Sequence, residues 1–159
     1  MLELSLNATP FDLNLDQKTM IVAIRDKSFA WDPKYKGNDI EISNNDTVLS
    51  KKDLEDYESV LGVIPLNSGR YYWEITIDNA NDSEDIVIGI ATKELNLYSQ
   101  PQSSNKFWGY FPCSARKIGH NIDRARYGEP CICNDIVGVL LEFSNEQCKL
   151  SFYRNQVME

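Results

Sequence analysis

From Arg70 to Asp78 the chain alternates without a break. Tyr71, Trp73, Ile75 and Ile77 fall on one side of an extended backbone, and Tyr72, Glu74, Thr76 and Asp78 on the other. A period of two held this long marks a β-strand with one buried face, because a helix would scatter the four large apolar side chains around its axis. Shorter runs repeat the signal: Met20 to Arg25, Asp39 to Ser43 resuming at Val48-Leu49, Val60 to Leu66, Ile86 to Ala91, Ile136 to Phe143 and Lys149 to Arg154. Asn44-Asn45 between two of these runs predicts a tight hairpin, since asparagine tolerates positive φ. No stretch longer than about ten residues has a 3.6-residue period, apart from weak candidates at Lys51 to Tyr57 and at the start of the chain. Thr92 to Phe107 and Gly109 to Asn134 read as irregular connections. Many short strands separated by turn residues predict an all-β fold, an antiparallel β-sandwich with little helix.

With 159 residues the chain is the size of one domain that can bury a core without staples. Its 24 acidic and 16 basic residues give a net charge of −8, and the pI is near 4.7. An acidic surface repels phosphates and anionic headgroups, which excludes nucleic acid and membrane surfaces as general partners. No apolar run approaches the roughly 20 residues that span a bilayer. The N-terminus lacks the basic and apolar regions of a secretion signal, so the expected compartment is the cytoplasm or nucleus. Cys113, Cys131, Cys133 and Cys148 are then expected as thiols.

Residues that carry chemistry are sparse. His120 is the single histidine, and no nucleophile motif accompanies it. Cys131 and Cys133 are separated by one residue, short of the spacing of a zinc knuckle. The acidic groups Asp53, Glu55, Asp56, Glu58 and Asp78, Asp82, Glu84, Asp85 lack calcium-loop spacing and read as solvated turns. No enzyme activity, metal or cofactor is expected. Segment 116–126 stands out: Arg116, Lys117, Arg124 and Arg126 face only Asp123, a local balance of +3 in an acidic chain. Guanidinium groups make forked hydrogen bonds to carboxylates, so the three arginines, with the positive charge of Lys117 beside them, are candidates for contact with an acidic partner.

A succession of short motifs spans Phe29 to Tyr153. Trp31-Asp32-Pro33 leads to Ile40-Glu-Ile-Ser43, and Ser68-Gly-Arg-Tyr-Tyr-Trp-Glu-Ile-Thr-Ile77 follows. Then come Ile86-Val-Ile-Gly-Ile-Ala91, Trp108-Gly-Tyr110, Tyr127-Gly-Glu-Pro130, Asp135-Ile-Val-Gly-Val-Leu-Leu-Glu-Phe143 and Leu150-Ser-Phe-Tyr-Arg-Asn155. In this order the motifs resemble the SPRY family. The resemblance implies a bent two-sheet sandwich serving as a non-enzymatic protein-interaction module, with a partner peptide or domain gripped by loops at one end. It also implies use as an adaptor, for example in substrate recognition by a ubiquitin ligase.

Carried over by position, the family's ligand loops fall on Ser50 to Tyr57 and Lys93 to Ser104. Lys51, Lys52, Tyr57 and Tyr98 then join Arg116, Lys117, Arg124 and Arg126 as partner-binding candidates. The resemblance divides the chain into residues 1–28, a lead-in able to add a strand, and a sandwich over 29–159 that lacks the family's usual last strands. An open sheet edge left in this way invites self-association. Two departures concern turns. Asn134 stands where the family has Gly, and Gln156 follows Asn155 where the family has Asn-Gly, which predicts a strained or different turn. Two other roles are compatible with the same sandwich: a structural domain in a larger scaffold, and a carbohydrate-binding domain.

Overall fold

The computed structural model of the chain describes residues 2–7, 29–52, 56–80, 86–100, 104–119, 122–144 and 147–158, with side chains in all of these except 2–7 and 122–124. The strand expected over Met20 to Arg25 lies outside the described residues, as do His120 and most of the two acidic groups.

The described strands are β1 (Leu2–Asn7), β2 (Trp31–Lys36), β3 (Ile40–Ser43), β4 (Val48–Lys51), β5 (Val60–Gly62), β6 (Arg70–Asn79), β7 (Ile88–Ala91), β8 (Phe107–Phe111), β9 (Arg116–Gly119), β10 (Ile122–Arg126), β11 (Ile136–Phe143), β12 (Cys148–Arg154) and β13 (Val157–Met158). They form an antiparallel seven-stranded sheet in the order β13-β12-β11-β6-β1-β4-β3, a four-stranded sheet β10-β9-β8-β7 and a two-stranded sheet β2-β5. The only helical element among the described residues is the 3₁₀ turn Pro112–Ser114. The fold is an all-β antiparallel sandwich.

The long alternating run is β6, near the centre of the large sheet. Its register with β11 places Trp73 opposite Val139, Ile75 opposite Val137 and Tyr71 opposite Leu141, so the apolar residues of both strands line one face. That face meets Ile88 and Tyr110 of the four-stranded sheet in a single core with Phe152, Ile77 and Cys131. Full burial of each large aliphatic or aromatic residue stabilises by roughly 1.5–3 kcal/mol. Tyr110 links the layers, with its ring 5.2 Å from Phe152 and 5.6 Å from Tyr127. Leu95, Phe107, Phe111 and Ile118 form a second, smaller cluster. Phe107, Phe111 and Ile118 lie on the face of the four-stranded sheet opposite Tyr110, because neighbours on a strand point opposite ways. Leu95 comes from the loop after β7 and caps this cluster, which anchors that loop.

The segment expected to be irregular between Gly109 and Asn134 instead holds the rest of β8, the 3₁₀ turn, β9 and β10. Arginine and lysine at strand positions hid the apolar alternation there. The chain start, a weak helix candidate, is β1, paired with both β4 and β6. The Val60 to Leu66 run contributes only the three residues of β5.

Three turns show how backbone and side chains fix the frame. The β3–β4 hairpin places Asn44, Asn45 and Asp46 at φ of 52°, 55° and 63°, conformations that asparagine and aspartate accept. Asn134 sits at φ 71°, which explains why glycine suits that position. Asn155 and Gln156 adopt φ of 47° and 73° in the two-residue turn between Arg154 and Val157. That is the signature of a type I′ turn, with glutamine held where glycine is favoured.

The same corner carries a buried carboxylate. Asp135 is 7% exposed. Its Oδ2 accepts from the Ile132 N–H at 2.9 Å and from Arg154 Nε at 2.8 Å, and its Oδ1 accepts from Asn155 Nδ2 at 2.7 Å. Asn155 Oδ1 in turn accepts from the Ile136 N–H at 2.9 Å. One aspartate thus ties the start of β11 to the far end of β12.

Candidate functional site

The turn after β2 is built around a single carboxylate. The two Glu58 oxygens accept from consecutive backbone N–H groups, Asn38 at 3.0 Å and Asp39 at 2.9 Å, and the Gly37 N–H reaches the Ser59 carbonyl at 2.9 Å. Gly37 must lack a side chain here, because a Cβ would lie 2.5 Å from the Glu58 carboxyl carbon. Glu58, expected as part of a solvated acidic cluster, therefore acts as a clasp.

The loop after β7 joins the same assembly. The Ser59 N–H donates to the Leu97 carbonyl at 2.8 Å, and the Tyr98 hydroxyl donates to Asn38 Oδ1 at 3.1 Å. Asn96 steadies the loop by accepting the Tyr98 N–H at 3.1 Å. Three segments far apart in sequence, 37–39, 57–59 and 96–98, are fastened together in this way. Two expected partner-binding residues stand on them, Tyr57 at 43% exposure and Tyr98 at 55%. Tyr35, 47% exposed at the end of β2, leads into the same turn and was not legible as a site residue. Its only signal was an aromatic residue two positions before Gly37-Asn38. Tyrosine loses little rotamer entropy on contact, offers a large apolar face and keeps a polar tip, which suits a recognition surface.

The lysines of this region have other duties. Lys51 is the last residue of β4 and is only 7% exposed, with its Nζ donating to the Asp56 carbonyl at 2.9 Å. It holds the loop end from inside. Lys52 is exposed and lies 3.4 Å from Glu41 Oε1, a solvent-screened pair of small energetic weight.

The basic candidates occupy β9 and β10. Arg116 and Arg126 are directly opposite each other across these strands and are both exposed. Like charges in that arrangement cost roughly 0.2–1 kcal/mol. Lys117, next to Arg116, points the other way and stands 5.1 Å over the Tyr127 ring. Arg124 lies on β10, and its side chain is outside the described residues. Arg126 Nη2 reaches Glu129 Oε1 only at 3.9 Å.

Two hydroxyls and a thiol have raised pKa values. Desolvation is the leading cause for Tyr72, reinforced by its hydrogen bond to Glu74. Desolvation also leads for Tyr153 and is the cause at Cys148, which disfavours a reactive thiolate there. All four cysteines are thiols. No group of three or more His, Cys, Asp or Glu that could hold a metal ion occurs among the described residues, and none of their helices is long and apolar enough to cross a membrane.

The family model described as the SPRY domain matches residues 70–159, from the first residue of β6 onward. The chain belongs to the SPRY domain family. Members are generally protein-interaction modules without catalytic activity. The domain is also similar to proteins named Ssh4 from three fungi. It is 29% identical over 134 residues to the one from Neosartorya fischeri, 28% to that from Aspergillus fumigatus and 27% to that from Neurospora crassa. In each case 80% of the present chain and 25% of the relative are covered, so this SPRY domain spans about a quarter of the length of these relatives.

Proposed function

We propose that this SPRY domain is a non-enzymatic docking module that grips a segment of a partner protein on the surface formed by Tyr57, Tyr98 and the 37–39 turn. The supporting observation is the fastening of three loop segments by Glu58, Asn38 and the Leu97 carbonyl, which presents exposed tyrosines on a rigid base. A prearranged surface spares the ordering cost of binding, so a few aromatic anchors suffice for affinity. Recruitment of a substrate to a ubiquitin ligase is one use of such a module, and transfer chemistry would then reside in another domain or subunit.

The test begins with affinity capture from cells by the wild-type chain, followed by binding measurements with each purified partner. Combined Tyr57→Ala and Tyr98→Ala changes are expected to weaken the true partner by about a hundredfold, the loss of two anchors at about 1.4 kcal/mol per tenfold. Unchanged affinity for every purified partner would refute this surface.

A further inference from the structure

The pairing of Arg116 with Arg126 is unexplained by the fold, since two guanidinium groups directly opposed across neighbouring strands oppose sheet formation. Among the described residues Arg116 has no ion-pair partner, and the one ion-pair contact of Arg126 is to Glu129 at 3.9 Å. Strand β10 is the end of the four-stranded sheet, so its outer edge pairs with no strand among the described residues. The chain carries a net charge of −8, yet here it gathers forked cations and turns the neighbouring Lys117 inward onto Tyr127. We propose that the β9–β10 edge is a second docking site, for an acidic, extended segment of a partner protein.

An extended segment can add to an open edge by main-chain hydrogen bonds, and its alternate side chains then share a face. Asp or Glu at every second position would stand over Arg116 and Arg126, which offer planar forks to carboxylates. A nucleic acid is the weaker match, because the rest of the acidic surface repels a phosphate chain. This site is independent of the tyrosine surface.

The experiment selects random displayed peptides on the purified 159-residue chain and measures the enriched sequences by fluorescence anisotropy. A class rich in Asp and Glu is expected. Its affinity should fall at least about tenfold with Arg126→Glu, weaken as salt is raised, and survive Tyr57→Ala with Tyr98→Ala. Arg126→Glu sets opposite charges across β9 and β10, so its melting temperature should equal or exceed that of wild type. If it melts lower, Arg116→Gln and Arg126→Gln carry the same binding readout. The proposal is overturned if no acidic class is enriched, if acidic peptides ignore the arginine changes, or if their binding is lost only with the tyrosine changes. It is equally overturned if a single-stranded oligonucleotide outcompetes them, or if light scattering shows a self-dimer that Arg126→Glu abolishes.

Discussion

Replacing Asp135 by Asn isolates the electrostatics of the β11–β12 corner without leaving a cavity. The carboxylate accepts three hydrogen bonds, two on Oδ2 and one on Oδ1. An amide in its place has one oxygen and one NH₂. If the NH₂ takes the Oδ2 position, it faces the donors of Ile132 and Arg154. If it takes the Oδ1 position, it faces Asn155 Nδ2, and Asn155 cannot flip without withdrawing the oxygen that accepts the Ile136 N–H. Every orientation therefore puts donor against donor and also removes the charge opposite Arg154. A hydrogen bond to a charged group contributes about 1.5–3 kcal/mol, so Asp135→Asn should cost about 2–4 kcal/mol near neutral pH. In a domain of this size that lowers Tm by about 5–15 °C.

The effect has a pH signature. Desolvation raises the Asp135 pKa, but the Ile132 N–H, the Asn155 amide and the Arg154 guanidinium together outweigh it and hold the carboxyl below its ordinary value. A depressed pKa contributes stability that is present above the unfolded value of about 3.9 and is lost as pH falls through the folded value. Urea unfolding of wild type and variant should thus show a gap that is full near neutrality and narrows below about pH 4. A cost under about 0.5 kcal/mol, or a gap that stays constant down to acidic pH, would refute this account of the corner.

Gln156→Gly should stabilise the domain by about 0.5–1 kcal/mol in urea titration, since relief of left-handed strain worth about 1–2 kcal/mol exceeds the added freedom of glycine in the unfolded chain. Gly138→Ala should destabilise by about 2–4 kcal/mol, because the new methyl meets the Tyr72 hydroxyl and lies 3.0 Å from its ring carbon Cζ, displacing the phenol from buried Glu74. Spectroscopic titration should then show one tyrosine ionising at lower pH than in wild type, as desolvation and the Glu74 bond are relieved. Glu58→Ala should cost about 1–2 kcal/mol by leaving the Asn38 and Asp39 N–H groups to water, and it should weaken a partner of the tyrosine surface although no tyrosine has changed.

The frame was legible because burial imposes a period. Tyr71, Trp73, Ile75 and Ile77 announced β6, and the apolar run at Ile136 announced β11, its neighbour in the sheet. Strands β9 and β10 escaped notice, since Arg116, Lys117 and Arg126 replace the apolar residues that would have marked them. Among the described side chains of that hairpin, Ile118 pins it to the second core cluster. At Gln156 the sequence warned of strain, and the backbone accepts it: the turn keeps its positive φ values, and Arg154 still pairs with Val157.

The surface obeys a different rule. Whether Tyr98 is an isolated exposed aromatic or part of a binding face depends on its hydroxyl meeting Asn38, sixty positions away in sequence. Nothing periodic encodes that meeting. It follows from Glu58 holding the 37–39 turn in place and from Leu95 anchoring the loop that presents Leu97 and Tyr98. Lys51 shows the converse, a charged loop-end residue that pattern assigns to the surface and the fold turns inward onto the Asp56 carbonyl. Residues that touch a partner and residues that hold those residues still are thus interleaved in one loop end. Mutating the second kind should mimic losing the first, which is why Glu58→Ala, with every tyrosine intact, separates a prearranged surface from a merely exposed one.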